Sequence, residues 1–162
     1  AIAFIAGAPI GHGSRRNLTM VNGHPNLALH KPVTSSTTSG PPFSVQRITD
    51  GGTNNLGFYL GYPADPDPIL LTIDLEDVQT VERVKVFAYS VSGSFEKYSI
   101  ETSTNGVDFE EVASRMEKPE DPTSPVEHHF SPRQVRYVRI RTHGNKGYVF
   151  NSFSKIVEVQ VF

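Results

Sequence analysis

The segment from Asp50 to Asn55 is the part of this sequence whose residue types are best suited to bind a metal ion. It reads Asp-Gly-Gly-Thr-Asn-Asn, so a carboxylate is followed by two glycines and then by hydroxyl and amide side chains. Ca²⁺ takes about six to eight oxygen ligands, commonly carboxylates and backbone carbonyls of a tightly turned loop, and paired glycines let a backbone curl its carbonyls inward. Taken alone, however, the segment favours an ordinary Asp-Gly turn without a metal.

Two polar loops have the residue types that bind sugars. A sugar site combines an aromatic face, stacked on C–H groups, with a few amide, hydroxyl or charged groups that meet the hydroxyls. Such residues occur together in Gly57–Tyr62 and again in His143–Phe153. For each single aromatic, packing in the core or in a loop is an equally good explanation, because buried aromatics are common.

Catalytic chemistry is not indicated. The sequence has no Gly-x-Ser-x-Gly, His-Glu-x-x-His or P-loop motif, and it has no cysteine to act as a nucleophile or a zinc ligand. The carboxylate pairs at Glu110–Glu111 and within 117–121 lie in turn-like segments and are best explained as solvated turns. His128 and His129 are neighbours in a strand pattern, so they face opposite sides and do not readily chelate one ion. We therefore predict a domain that is not an enzyme.

Length, charge and hydropathy favour one globular domain. The 162 residues are 37% hydrophobic and 20% charged, which suffices for a core without disulfides. A net charge of -2 provides no basic field, so we expect no nucleic-acid partner.

The apolar run Ala1–Ala6 is far shorter than the ~20 residues of a membrane span, and we expect no transmembrane segment. Because turn formers dominate the start of the chain, we divide it into a lead-in segment or linker, 1–25, and one domain, 26–162.

The pattern from Asn26 onward predicts an all-β fold, since short apolar stretches alternate with turn formers and no helical period is sustained. Alternation predicts two strands in series, Ile69–Leu75 and Val84–Ala88, joined through Glu76–Thr80. Asn105-Gly106 predicts a tight hairpin turn between strands at 98–104 and 107–112.

Three more strands are predicted near the end of the chain, at 126–130, 136–142 and 156–162. Pairing should lapse in the proline-containing stretch 117–125, because proline lacks the backbone donor that a ladder needs. In total, about eight strands are expected, which suits an antiparallel β-sandwich or jelly roll.

A series of motifs resembles the coagulation-factor type C, or discoidin, domains and most of all the family 32 carbohydrate-binding modules. The motifs are Asn26–Ser36, Ile48–Gly51, Leu71–Leu75, Tyr98–Phe109, 135–140 and 156–161. They follow the order of the family and cover roughly residues 26 to 162. The resemblance implies an eight-stranded antiparallel jelly-roll β-sandwich with a structural cation at one edge and a ligand site formed by loops at one end.

The resemblance also implies which residues hold the cation. In the similar modules an Asp carboxylate, loop carbonyls, a Thr and a Glu at the start of the last strand surround Ca²⁺. The corresponding groups are the side chains of Asp50 and Glu158, the carbonyls of Arg47, Gly52 and Val157, and Asn55 in the place of the usual Thr. An amide oxygen also coordinates Ca²⁺. The alternative for Glu158 is an ordinary exposed strand residue.

The carbohydrate site is likewise implied by position. In the similar modules it is formed by the two aromatic loops and by the loop that follows the strand at 84–89. The corresponding candidates are Tyr59, Tyr62, Tyr89, Asn145, Lys146, Tyr148 and Phe150. Galactose-binding relatives often use a His, an Arg just after the strand at Val86, and a Trp, but this chain has Tyr89-Ser-Val-Ser-Gly93 there and no Trp. Lys146, His143 and Arg15–Arg16 favour, as one option, an acidic sugar such as a uronate.

The function implied by the resemblance is that of a non-catalytic carbohydrate-binding module with a structural calcium ion. Its partners would be oligo- or polysaccharides, and it would be secreted, periplasmic or on the cell surface, fused to or associated with a glycoside hydrolase or polysaccharide lyase. Two alternatives stay open. One is a discoidin-like adhesion module for protein or phospholipid, whose eukaryotic members usually have a disulfide between their termini. The other is a structural appendage of a glycoside-active enzyme.

Overall fold

The computed structural model describes residues 20–21, 23–37, 39, 42–54, 59–61, 68–89, 95–117, 125–146 and 154–162. Within these ranges the chain forms nine antiparallel strands and one short 3₁₀ helix. The strands are β1 (Met20–Val21), β2 (His24–Pro25), β3 (Val33–Ser35), β4 (Tyr59–Gly61), β5 (Ile69–Ala88), β6 (Phe95–Ser103), β7 (Glu110–Arg115), β8 (Val126–Lys146) and β9 (Ser154–Val161), and the 3₁₀ helix is Val45–Thr49. The all-β prediction is confirmed.

The longest strands, β5 and β8, form one antiparallel ribbon. Their pairing runs from Ile69 opposite Thr142 to Val86 opposite Val126. The prediction of two separate strands in each stretch was wrong. The ladder shifts its register between Asp74 and Gln79, so the strand turns at a bulge instead of ending.

The ribbon folds back on itself. The Tyr98 hydroxyl lies 2.9 Å from Nε2 of His128. Yet Tyr98 pairs with Thr142 at one end of the ribbon, whereas His128 pairs with Val84 near the other end. Only a ribbon bent over in its middle brings these residues together, and the bend creates the two layers of a sandwich.

One layer continues outward from the ribbon through β6 and β7 on the β8 side and β3 on the β5 side. The other layer continues from the second half of β5 through β9 to β4. The inner faces meet in one core, which includes Leu71, Ile140 and Val159. Burying each such side chain contributes about 1.5–3 kcal/mol.

Strand alternation was predicted correctly where one face is buried. Ile69, Leu71, Ile73 and Leu75 are all buried, and the residues between them are partly exposed. His128 is half-buried whereas the side chain of His129 is 68% exposed, so the two histidines do face opposite sides.

The hairpin at Asn105-Gly106 is confirmed, but its tight two-residue turn is not. Six residues, Thr104 to Phe109, connect β6 to β7. Gly106 has a φ of 75°, whereas Asn105 does not take the positive φ that such a turn requires. Instead, Oδ1 of Asn105 accepts hydrogen bonds from the backbone N–H of Val107 and of Asp108, both at 2.9 Å, and its side chain shapes a wider loop.

The sandwich has two ends, which the following sections name. At the loop end, β5 and β7 terminate at Ala88 and Arg115, and β9 begins at Ser154. At the bend end, β5 and β8 turn over, and the loop 104–109 joins β6 to β7. β7 ends and β8 begins on either side of the predicted proline stretch, most of which lies outside the described residues.

The contact between His128 and Tyr98 makes stability depend on pH. Burial lowers the pKa of His128 below 6.5, and the charges of Arg115 and His129 lower it further. As pH falls below 6.5, the unfolded chain therefore binds a proton at His128 before the folded chain does. We expect the free energy of unfolding to fall between pH 7 and pH 5, in a way that His128→Gln reduces and His24→Gln, at an exposed histidine elsewhere, does not. Urea unfolding across this range is the measurement, and equal pH slopes in all three proteins would contradict it.

Candidate functional site

The 3₁₀ helix fixes the start of the candidate cation loop. Ile48 and Thr49 are buried, and the Thr49 hydroxyl donates to the Lys31 carbonyl at 3.0 Å. The backbone N–H of His30 also donates to the Thr49 carbonyl at 2.6 Å. The helix ends at Asp50, whose N–H donates to the Arg47 carbonyl at 3.3 Å. The loop therefore begins from an anchored point.

The two glycines after Asp50 are required by the geometry of the loop. Gly51 has a φ of 87°, and a Cβ there would lie 3.1 Å from Cδ1 of Leu29. A Cβ on Gly52 would lie 2.8 Å from Oδ1 of Asp50, because the Gly52 N–H donates to that oxygen at 2.7 Å. The Asp50 side chain is thus folded over its own loop.

Glu158 is the buried partner of this loop. Its side chain is fully buried on β9, and Oε2 accepts a hydrogen bond from the Gly51 N–H at 3.2 Å. Its Oε1 is also buried and has no hydrogen-bond partner among the described residues. Burial and, to a smaller extent, the nearby charge of Asp50 raise the pKa of Glu158 to about 8, against the lowering effect of the Gly51 N–H. The alternative of an ordinary exposed strand residue was wrong.

This donor set fits a hard cation. A buried carboxylate with a free oxygen is costly unless a charge or a hydrogen bond compensates it, and a divalent cation would do so. Two carboxylates and the carbonyls around them suit the oxygen-rich coordination of Ca²⁺. No group of three or more His, Cys, Asp or Glu is found in the described ranges, so carbonyls would supply most ligands. Asn55 lies outside the described residues.

Tyr59 was predicted to contact sugar, but the structure places it in the core. Its side chain is fully buried on β4. Its hydroxyl lies 2.8 Å from Oγ of Ser35 and 3.0 Å from Oγ1 of Thr37. The ring therefore has no face on which a sugar can stack. The sequence did not indicate this, because the residues around Tyr59 are those of a polar loop and its burial depends on tertiary packing.

Tyr89 does lie at the loop end. It is half-buried directly after β5, and its N–H donates to the Lys155 carbonyl at 3.0 Å. Nζ of Lys155 lies 5.2 Å from the centroid of the Tyr89 ring. The Lys155 N–H donates to Oε2 of the fully buried Glu96 at 3.4 Å. The loop end therefore combines an aromatic ring, an ammonium group and a buried carboxylate.

Lys155 and Glu96 were missed by the sequence analysis. Both are polar residues within strands, where alternation gives them no distinguishing signal, and only the pairing of β9 beside β5 brings Lys155 to Tyr89. Asn145 and Lys146 form the last residues of β8, with their backbones opposite Glu96 and Phe95. Their side chains, together with Tyr62, Tyr148 and Phe150, lie outside what the structure describes.

The family can now be stated from a direct comparison. The family model described as "F5/8 type C domain" matches residues 32–159, which span both candidate cation carboxylates and most of the sandwich. The chain belongs to the F5/8 type C domain family. The match covers every strand from β3 to β8 and most of β9, so the recognised discoidin fold is confirmed.

Solved structures agree on the fold. Chitosan-binding module 1 of a chitosanase/glucanase from Paenibacillus sp. IK-5 has a TM-score of 0.69 at 23% identity and covers 86% of this chain and 99% of its own. The CBM32 of AlyQ, in complex with 4,5-unsaturated mannuronic acid, has a TM-score of 0.67 at 24% identity, with coverages of 81% and 93%. A Clostridium perfringens module in complex with GalNAc-β-1,3-galactose has a TM-score of 0.65 at 17% identity, with coverages of 82% and 95%.

Curated proteins gave no significant match to this chain. Within the described ranges, no helix has the length and apolar character to cross a membrane.

The raised pKa of Glu158 predicts how the metal-free protein responds to pH. In the folded state the carboxyl keeps its proton up to about pH 8, whereas in the unfolded chain it loses the proton near 4.5. Its contribution to stability is therefore fully present below pH 4.5 and is lost as pH rises toward 8. With a chelator present, we expect wild type to lose stability across this range and Glu158→Gln to lose much less.

The control for this prediction is Glu82→Gln, which neutralises an exposed carboxylate elsewhere. Thermal unfolding at several pH values is the measurement. If Glu158→Gln shows the same pH dependence as wild type, the carboxyl is not protonated in the folded state.

Proposed function

We propose that this chain is a non-catalytic carbohydrate-binding module with a structural Ca²⁺ site. The observation that carries the calcium part is the fully buried Glu158, whose Oε1 has no partner among the described residues and whose Oε2 meets the Asp50–Gly52 loop. The ion would be held by Asp50 and Glu158 and by the carbonyls of Arg47, Gly52 and Val157, with Asn55 as a further ligand. It would tie the loop after the 3₁₀ helix to the last strand, and its role would be structural.

The carbohydrate part is supported by the neighbours in fold and by the residues at the loop end. Solved structures with this fold are described as binding chitosan, chitotriose, pectin, an unsaturated mannuronic acid and GalNAc-β-1,3-galactose. In this chain, Tyr89 offers an aromatic ring and Lys155 a cation beside it. These groups favour a saccharide with a carboxylate, such as a uronate-containing oligosaccharide.

The context proposed for the module is a glycan-active system that is secreted, periplasmic or on the cell surface. One solved structure with this fold joins a CBM32 to an alginate lyase domain. A module of this kind would hold an attached or associated enzyme close to its polysaccharide, which raises the effective concentration of substrate without any new catalytic group.

Calcium binding should release a proton. Glu158 must be ionised to coordinate a cation, and in the metal-free protein its pKa is about 8. We expect the apparent Ca²⁺ affinity to rise about tenfold per pH unit below pH 8 and to level off above it. Calorimetry in buffers of different ionisation enthalpy measures both the affinity and the released proton.

The variants for the calcium test are Asp50→Asn and Glu158→Gln, which should each weaken Ca²⁺ binding by at least about tenfold, with Glu82→Gln as the matched control. Ca²⁺ should raise the melting temperature of wild type and of the control only. If neither Ca²⁺ nor a chelator changes the melting temperature of wild type, the calcium site is refuted.

Sugar binding should depend on Lys155. We expect binding of oligogalacturonate or oligomannuronate with a dissociation constant near ~1 mM, as is usual for shallow single sites. Lys155→Gln should weaken acidic ligands about tenfold and leave neutral ones unchanged, because it removes only the charge. A glycan array with and without Ca²⁺, followed by titration, is the measurement.

The matched control is Lys31→Gln, which removes an equal charge at the bend end, where Lys31 pairs with Glu76. Binding to liposomes or proteins without any saccharide hit would favour the adhesion alternative, and the absence of every ligand would favour a structural appendage.

A further inference from the structure

A groove runs across the bend end, far from Tyr89 and Lys155. It consists of two adjacent depressions of about 340 and 300 Å³ that share Glu110 and Arg133 as their common wall. Phe109 lines the first depression and Phe130 the second. Among the described residues of the loop-end site, neither Tyr89 nor Lys155 lines it.

The common wall of the groove is an ion pair. Nη2 of Arg133 lies 2.8 Å from Oε2 of Glu110, and Nη1 donates to the Thr102 hydroxyl at 3.3 Å. The side chain of Glu110 is 72% exposed and that of Arg133 is 30% exposed. An ion pair this exposed contributes little to stability, yet it presents oriented donors and acceptors to solvent.

Packing contacts hold the Phe109 ring and the loop beside the groove in place. The guanidinium of Arg139 stacks on the Phe109 ring, with Cζ 3.6 Å from the centroid, and this fixes the ring. The ring of Tyr137 packs against Gly106, where a Cβ would come within 3.1 Å of it. Rigid walls reduce the entropy that a ligand must overcome to bind.

The composition of the groove is that of a sugar site. Each depression has one aromatic ring to lie against C–H groups, and the ion pair between them meets hydroxyls. The charges select among sugars. Among the lining residues, Asp108, Glu110 and Glu111 carry three negative charges against the one positive charge of Arg133, a local balance of -2. Arg139 beside Phe109 does not change this balance, because it is paired with Glu101. Such a groove repels uronates and attracts sugars that carry amino groups.

We propose that this groove is a second carbohydrate-binding site, for oligosaccharides of amino sugars such as glucosamine, whose hydroxyls and ammonium groups contact Arg133, Glu110 and Glu111. It is independent of the loop-end site. β6 runs from Phe95 at the loop end to Ser103 beside the groove, so the two sites are separated by about 25 Å at the rise of an antiparallel strand. A module with a site at each end can link two segments of glycan and gain avidity from both.

The test uses the absence of cysteine, which allows one fluorophore to be placed at a chosen position. Val107→Cys labels the exposed tip of the loop beside the groove, and Met116→Cys labels an exposed position at the loop end. Each labelled protein is titrated with glucosamine hexamer, with cellohexaose as its neutral counterpart and with hexagalacturonate.

We expect the label at 107 to respond saturably to glucosamine hexamer, at least about tenfold more weakly to cellohexaose, and not to hexagalacturonate. In the 107-labelled protein, Glu110→Gln combined with Glu111→Gln should weaken glucosamine hexamer at least about tenfold, and Glu82→Gln should not change its binding. Circular dichroism confirms that each variant is folded.

Two results would overturn the second site. They are the absence of a saturable response at 107 and a response that the double variant retains. The loop-end proposal is tested separately by the label at 116 and by Lys155→Gln, so either site can fail while the other stands.

Discussion

The ribbon of β5 and β8 cannot bury an apolar face along its whole length while it stays straight, because its two halves would have nothing to pack against. The bulge between Asp74 and Gln79 lets it bend over, and the two halves then become opposite layers of one core. The strands β3, β4, β6, β7 and β9 each add to one layer or the other, whereas β1 and β2 pair only with each other. The locations of the two proposed sites follow from the same bend, since it separates an end made of loops from an end made of the turning strands.

The buried carboxylate of Glu158 is the second constraint. Within an apolar sandwich an ionised carboxylate needs compensation, and the single N–H of Gly51 supplies only part of it. The fold can meet this need by keeping a proton on Glu158 or by holding a cation between Glu158 and the Asp50 loop. The two solutions exclude each other, so binding of the proposed cation would link the proton, the metal and the stability of the last strand in one equilibrium.

At the two proposed sites, the described charged groups that a ligand could reach differ in sign. At the loop end, the ammonium of Lys155 lies beside the Tyr89 ring. At the bend end, carboxylates outnumber the guanidinium of Arg133 in the groove. Because salt screens such charges over about 10 Å, each end would act on the ligand proposed for it, and a molecule with a net charge of only -2 can still present two distinct electrostatic surfaces.

The sequence by itself determined the fold class, the hairpin and the Asp50–Gly52 loop that is proposed to hold the cation. These features depend on local signals: alternation in Ile69–Leu75, a glycine where the backbone needs a positive φ, and an Asp followed by paired glycines. The family's motif order also placed Glu158 opposite that loop, about 107 residues away in the chain.

The features that only the tertiary structure decided depend on which strands lie side by side. The sequence around Tyr59 is that of a polar loop, but Tyr59 is buried because β4 pairs with β9. Lys155 has the pattern of an ordinary strand residue, but it lies beside Tyr89 because β9 pairs with β5. The bend that unites the predicted strands, and the groove beside it, arise from long-range pairing, which no short stretch of sequence encodes.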